Sequence, residues 1–150
     1  MAHTYTSLHF HVVFATAGRR ELLPEPIQER LWPYLGGIAR QNKFTLQCAG
    51  GAKNHVHLLL DLPAALSVAK AVQLLKGGSS KWLNETFRDV RPFSWQVGYG
   101  AFSVSTSGLA KVKAYISAQK AHHRRMSFEQ EYLLLLKAHE IVWDERYVWG

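Results

Sequence analysis

The stretch Lys53-Asn54-His55-Val56-His57-Leu58-Leu59-Leu60-Asp61 sets two histidines either side of one apolar residue, inside a run that otherwise reads as a buried strand. Side chains alternate along a strand, so His55 and His57 point the same way, with Leu59 and Asp61 behind them. Val56, Leu58 and Leu60 turn the other way, into a core. Two imidazoles on one rigid strand can share a cation. The competing reading is a pair of histidines on a half-exposed sheet face, and the pair alone does not choose between them. A second set stands further on. Lys111, Tyr115 and Gln119 recur at i, i+4 and i+8 beside an apolar stripe of Leu109, Val112 and Ile116. A phenol, an amide oxygen one turn on and an amine one turn back could act together on a metal-bound phosphate. The plain alternative is an aromatic at the edge of a packing stripe and a solvated glutamine, a common pattern on ordinary helices.

These residues need elements to hold them. Leu8, Phe10, Val12 and Phe14 alternate with Ser7, His9, His11 and Val13, which predicts a first strand over Tyr5–Ala15 with one apolar face. A basic turn, Gly18-Arg19-Arg20, follows. Pro24-Glu25-Pro26 opens a helix through about Asn42. A second strand runs from Phe44 to Ala49, ended by Gly50-Gly51, and the histidine stretch is the third. After Pro63 comes a helix carrying Val68, Val72, Leu75, Trp82 and Leu83, with a kink or loop expected at Gly77-Gly78-Ser79-Ser80. Gln96–Val104 reads as a fourth strand, Ser105-Thr106-Ser107-Gly108 as a joint, Leu109 to about His123 as a helix and Phe128–His139 as a last one. An aromatic tail closes the chain.

Strand–helix–strand–strand–helix–strand is the α+β ferredoxin-like, or split βαβ, order: a four-stranded antiparallel sheet with strands one and three in the middle. Both first helices would cover the apolar face. His9, His11, His55 and His57 would gather on the other, where His9 and His11 could serve as phosphate contacts, hydrogen-bonding groups or metal ligands. The C-terminal helices would border that open face.

Composition fits one domain over residues 1–150 with a real core: 47% of the 150 residues are hydrophobic. Lys and Arg outnumber Asp and Glu by 18 to 11, and this basic balance points to a polyanion, nucleic acid first and an anionic membrane second. No apolar run reaches transmembrane length, the first residues lack a signal-peptide pattern, and the single cysteine, Cys48, reads as a small core residue, so a cytoplasmic protein is expected.

His55-Val56-His57, then Trp95-Gln96 with Gly98-Tyr99-Gly100-Ala101-Phe102-Ser103-Val104-Ser105, then Tyr115-Ile116 with Gln119 and His122-His123, resemble the HUH single-tyrosine transposases of small bacterial insertion sequences and the related repeat-associated tyrosine transposases. The resemblance spans nearly the whole chain. It implies that His55 and His57, completed by Gln119, hold one divalent ion, magnesium or manganese, which would polarise the scissile phosphate. Tyr115 would attack the phosphorus, leaving a 5′-phosphotyrosine and a free 3′-OH, so that single-stranded DNA is cut and rejoined at element ends. It also implies recognition of hairpin DNA. Arg19, Arg20, Lys53, Lys76, Lys81 and Lys111 are the candidate phosphate contacts, with the Lys76–Lys81 break as part of the hairpin site. A further implication is a homodimer whose active sites are shared, Tyr115 of one protomer lying nearest the histidines of its partner. The joint after strand four and that strand's place at a sheet edge are compatible with this. Two other readings stay open. One is a domesticated hairpin-binding protein without strand transfer. The other, weaker, is a zinc hydrolase that recruits Asp61.

Overall fold

Pairing on both sides fixes where the first strand begins. The computed structural model describes residues 3–123 and 125–150. In it β1 spans His9–Ala15 rather than starting at Tyr5. His9 is the last rung of both ladders, opposite Asp61 on one side and Val104 on the other, and residues 3–8 lie exposed beyond them. β2 spans Thr45–Ala52, β3 His55–Asp61 and β4 Gly100–Val104. All pairs are antiparallel in the order β2-β3-β1-β4, so the expected ferredoxin-like sheet is present, with β1 and β3 central and β4 at an edge.

Two strand boundaries depart from expectation for local reasons. Gly50 and Gly51 lie inside β2 instead of ending it, because other backbone comes too close for a side chain: a Cβ on Gly51 would sit 2.2 Å from the His55 carbonyl oxygen. β4 begins at Gly100 rather than Gln96, since Gly98 turns the chain at φ +93° and Trp95 makes only an isolated bridge to Thr16.

α1 (Glu25–Gln41) and α2 (Val68–Thr86) cover one face. Val12, Phe14, Val56, Leu58 and Leu60 pack there against Leu31, Leu35, Val72 and Leu75. The expected interruption of α2 at Gly77–Ser80 does not occur. Gly78 gives room for α1, with its missing Cβ 2.8 Å from Ile38 Cδ1. The buried Ser79 hydroxyl donates to the Leu75 carbonyl at 2.6 Å and accepts from Trp95 Nε1 at 3.0 Å. Small residues here serve close helix packing, which outweighs their low helix propensity.

The opposite face carries a second core of Val13, Ala15, Phe102, Phe128, Tyr132 and Leu136. α3 (Leu109–Ser117) and α4 (Gln119–His122) replace the single helix expected to His123, with a break at Ala118. α5 spans Phe128–Ala138 and opens with a capping box, Ser127 bonding the Gln130 N–H and the Gln130 side chain returning to Ser127. The aromatic tail folds back, Trp149 packing beside this second core and under the Arg19 guanidinium. No helix among the described residues is long and apolar enough to cross a membrane.

Candidate active site

β3 presents His55 and His57 on the face covered by the C-terminal helices, both fully buried, with ring centroids 5.1 Å apart. Each ring is fixed through Nδ1. His55 Nδ1 lies 2.8 Å from Asn54 Oδ1, and His57 Nδ1 lies 2.8 Å from His11 Nε2. His11, from the neighbouring strand, therefore orients His57. All four histidines share the expected sheet face, but of the two on β1 only His11 joins the cluster, His9 standing at the far end of the strand. His9 pairs instead with Asp61, whose carboxylate also accepts from Gln47 Nε2 at 2.6 Å. Asp61 is thereby committed at the strand end, which removes the support for a zinc hydrolase built on it.

Just past the break at Ala118, Gln119 is turned inward and buried. Tyr115 and Gln119 then converge on a residue that spacing did not single out, Glu131 of α5. Glu131 is 1% exposed. Its Oε1 lies 2.9 Å from His57 Nε2, 3.0 Å from His123 Nε2 and 3.6 Å from His55 Nε2. Its Oε2 accepts from Gln119 Nε2 at 3.0 Å and from the Tyr115 hydroxyl. Gln119 Oε1 faces His55 Nε2 at 3.1 Å and His123 Nε2 at 2.9 Å. The structure thus brings His55, His57, Tyr115 and Gln119 into one cluster within a single chain. Lys111, expected beside them, stays exposed at its rim. The signal that could have revealed Glu131 is a carboxylate set between Phe128 and Tyr132 on the buried stripe of α5.

Burial governs the charges. It lowers His11 and His55 to about 3, aided in both by His57, so both rings are neutral at pH 7. His57 is shifted down as well, by burial against the opposing pull of Glu131. Tyr115 is held above its ordinary value, first by burial and then by the Glu131 carboxylate. Burial alone would raise Glu131, but hydrogen bonds to His123, His57 and Tyr115 outweigh it and keep the carboxyl well below the usual range.

The hydrogen-bond partners test whether a cation fits. His123 Nδ1 lies 2.8 Å from the Met126 carbonyl, which can only accept, so Nδ1 carries a proton there and Nε2 is the nitrogen offered to the cluster. Asn54 turns Nδ2 toward the Arg19 carbonyl and Oδ1 toward His55, so the neutral His55 ring carries its proton on Nδ1 and leaves Nε2 bare. Both Nε2 atoms face oxygens of Gln119 and Glu131. His122 Nε2, 3.3 Å from Glu131 Oε2, is buried with no hydrogen-bond partner among the described residues. One ligand atom each from His55, His57, His123 and Glu131 all fall within 4.8 Å of one another. Converging lone pairs require protons or a cation, and burial opposes a proton on His55. This donor set can hold a metal ion.

Two clefts flank the cluster. One, of about 610 Å³, is lined by Lys53, Asn54, Lys120, His123 and Phe128. The other, of about 480 Å³, is lined by His11, Phe102, Lys111, Tyr115 and His139. Of the candidate phosphate contacts, Lys53 and Lys111 border these clefts. Arg19 lies against Trp149 and 3.8 Å from Glu129, and Arg20 is exposed beside it. Lys81 is exposed on α2, which packs on the other face of the sheet. Lys76 is engaged internally, donating to the carbonyls of Gln96 and Gly98, and burial lowers it to about 8.

A split βαβ sheet carrying paired histidines, faced by a tyrosine from a following helix, defines a tyrosine transposase of the HUH type. A family model described as IS200-like transposase matches residues 4–119. The transposases for insertion sequence element IS200 of Salmonella typhimurium and Salmonella typhi are each 30% identical over 125 residues, 79% of this chain and 81% of theirs. A protein of Deinococcus radiodurans R1, provisionally assigned as a transposase, superposes with a TM-score of 0.63 at 26% identity, over 79% of this chain and 96% of that one. A REP-associated tyrosine transposase solved with a REP hairpin shares the fold at a TM-score of 0.61 and 14% identity, over 82% of this chain and 73% of that one. The chain belongs to the IS200-like transposase family, and DNA transposition is the function this membership carries.

Proposed function

We propose that this chain cuts and rejoins single-stranded DNA at the ends of an element through a 5′-phosphotyrosine on Tyr115. One observation carries the reading: the Tyr115 hydroxyl and the Nε2 atoms of His57 and His123 meet on a single carboxylate, so nucleophile and candidate ion site are adjacent. His55, His57 and Gln119 would hold the ion, magnesium or manganese, which would supply Lewis-acid polarisation of the phosphate. Tyr115 forms the new O–P bond as the bond to the 3′-oxygen breaks. The phenolic proton has Glu131 Oε2 within reach, and the departing oxygen takes a proton to become a 3′-OH. The phosphotyrosine conserves the energy of the phosphodiester, so a second 3′-OH reverses the step without ATP.

Hairpin DNA is the proposed substrate. The two clefts on either side of Tyr115 and His123, bordered by Lys53 and Lys111, suit the strand entering and leaving the cut site. Residues 1–150 act as one catalytic unit in the cytoplasm. The test incubates the protein with single-stranded hairpin DNA and a divalent ion and resolves products on a denaturing gel. A covalent protein–DNA band is expected from the native chain. Tyr115→Phe, which keeps the ring and loses the oxygen, should bind the hairpin and give no band. An adduct of normal yield in that variant would move the nucleophile elsewhere, Tyr99 being the next candidate. Binding with no adduct from the native chain would instead favour the domesticated binding protein.

A homodimer belongs to the proposal, with a narrower claim about its sites. The geometry supports completion of each site within one chain, rather than the exchange that the resemblance implies. Mixing His57→Ala and Tyr115→Phe chains decides between them. In-chain sites leave a mixed dimer dead, whereas exchanged sites restore about half the activity, because one of two sites receives both intact halves.

A further inference from the structure

We propose that His123 and Glu131 are themselves ligands of the ion, and that with His55 and His57 they form a site of three imidazoles or more and one carboxylate, selective for a transition ion of the manganese, cobalt or zinc class over magnesium. The inference rests on the ion reading above and extends it to residues that the family match, ending at residue 119, does not reach.

Three features carry it. The first is direction. His123 is anchored through Nδ1 to the Met126 carbonyl, as a metal-binding imidazole is anchored by its far nitrogen, and its Nε2 points into the cluster. His55 is anchored in the same sense by Asn54, and His57 by His11. The second is convergence. Glu131 Oε1 stands at 2.9 Å, 3.0 Å and 3.6 Å from the Nε2 atoms of His57, His123 and His55. A cation set among these atoms would give every lone pair a partner at once. The third is enclosure. Glu131, His55 and His57 are essentially inaccessible, and a carboxylate is rarely placed so without a charge to meet it. The two oxygens of Glu131 also divide: Oε1 faces the histidines, Oε2 faces Tyr115 and Gln119. The carboxylate would then tie the ion to the nucleophile and α5 to the sheet.

Ligand chemistry sets the class of ion. Magnesium prefers an octahedral shell of oxygens and keeps its waters, whereas imidazole-rich sites favour the later divalent ions. Gln119, expected as a ligand, has its Oε1 beside two Nε2 atoms and remains available as a further oxygen donor.

The test measures binding rather than turnover. Full-length protein stripped of metal is titrated with Co²⁺ by visible absorption, and with Mn²⁺ and Mg²⁺ by calorimetry. The expected results are a Co²⁺ d–d spectrum of low coordination number, Mn²⁺ bound at least 100-fold more tightly than Mg²⁺, and affinities for Co²⁺ and Mn²⁺ weakened at least tenfold in both Glu131→Gln and His123→Ala. Circular dichroism melts of the metal-free variants establish that they fold, and His123→Gln serves if one of them does not. Native affinity and spectrum in the folded variants overturn the proposal, since the ion would then need only His55, His57 and Gln119. So does magnesium binding that equals manganese binding. Failure of the transposase reading looks different: the ion is bound as described, yet no Tyr115-dependent adduct forms.

Discussion

Gly50→Ala tests whether the close approach of α3 to the sheet is what places Tyr115. Gly50 stands opposite His57 across the β2–β3 ladder. A Cβ there would lie 2.5 Å from the carbonyl oxygen of Ile116 and 3.0 Å from its Cγ2. Ile116 follows Tyr115 directly and is itself buried. Ordinary contact begins at 3.4 Å, so the alanine falls about 0.9 Å short of it, and the nearest obstacle is helix backbone rather than the free end of a side chain. α3 must retreat or β2 must bow. Overpacking of this kind costs about 1–3 kcal/mol. At roughly 2–4 °C per kcal/mol for a chain of this size, the melting temperature should fall by about 5 °C. A shift near 1 Å at a reacting group is worth on the order of 100-fold in rate. Adduct formation on hairpin DNA should therefore drop about 100-fold while hairpin affinity barely changes. Gly77 supplies the control, because nothing lies within 4 Å of its missing Cβ. Gly77→Ala should stabilise α2 by about 1 kcal/mol and leave cutting untouched. A Gly50→Ala protein that cuts at the native rate would refute the dependence of Tyr115 on this contact.

Acid should unfold the metal-free protein early. His11 and His55 are held near 3 in the folded chain against 6.5 as the ordinary value, so their contribution is full above pH 6.5 and lost as the pH falls toward 3. At pH 5 each has given up about 2 kcal/mol, at about 1.4 kcal/mol per pH unit, and a urea midpoint that does not fall between pH 7 and pH 5 would contradict their burial as neutral rings. The lysines should divide by position. Lys53→Ala and Lys111→Ala, at the cleft rims, should each reduce the dependence of hairpin affinity on salt by about one phosphate contact, read as the slope of log affinity against log salt. Lys76→Met should leave that slope alone and lower the melting temperature, because it removes the partner of two carbonyls; an altered slope would return Lys76 to the DNA surface.

What the sequence revealed and what it hid divide along one physical line. The His55–Asp61 strand was legible to its last residue because alternation is a local property and both of its faces are buried. Tyr115 and Gln119 were legible as a pair through spacing and resemblance, but the break at Ala118 was not, since it follows from Gln119 turning toward groups distant in the chain. The misread segments share that character. Gly77–Ser80 looks like a breaker until Ile38 and Trp95 are known to need the space and the hydroxyl. Gly50-Gly51 looks like a strand end until Ile116 and the His55 carbonyl press against it. Glu131 was hidden most deeply: it stands far from the histidines in the chain, and only the packing of α5 over the second core brings it to them.

The polar cluster itself bears on why α5 is where it is. Buried ionic groups are costly to desolvate, and a well-packed apolar replacement usually stabilises a fold as well or better. Here His11, His55, His57, Gln119 and Glu131 are all buried on a face that also holds Phe102, Phe128, Tyr132 and Leu136. Apolar side chains could have closed that face alone. The chain instead places a carboxylate where four imidazoles and a phenol can all reach it, between apolar residues that exclude water from the interaction. Low local dielectric strengthens every contact in such a group and makes each unpaired member expensive. On the proposed ion reading, the arrangement would favour a tightly held cation and a fixed tyrosine over stability as such, and the helix that carries Glu131 would belong to the chemistry of the site as much as to its cover.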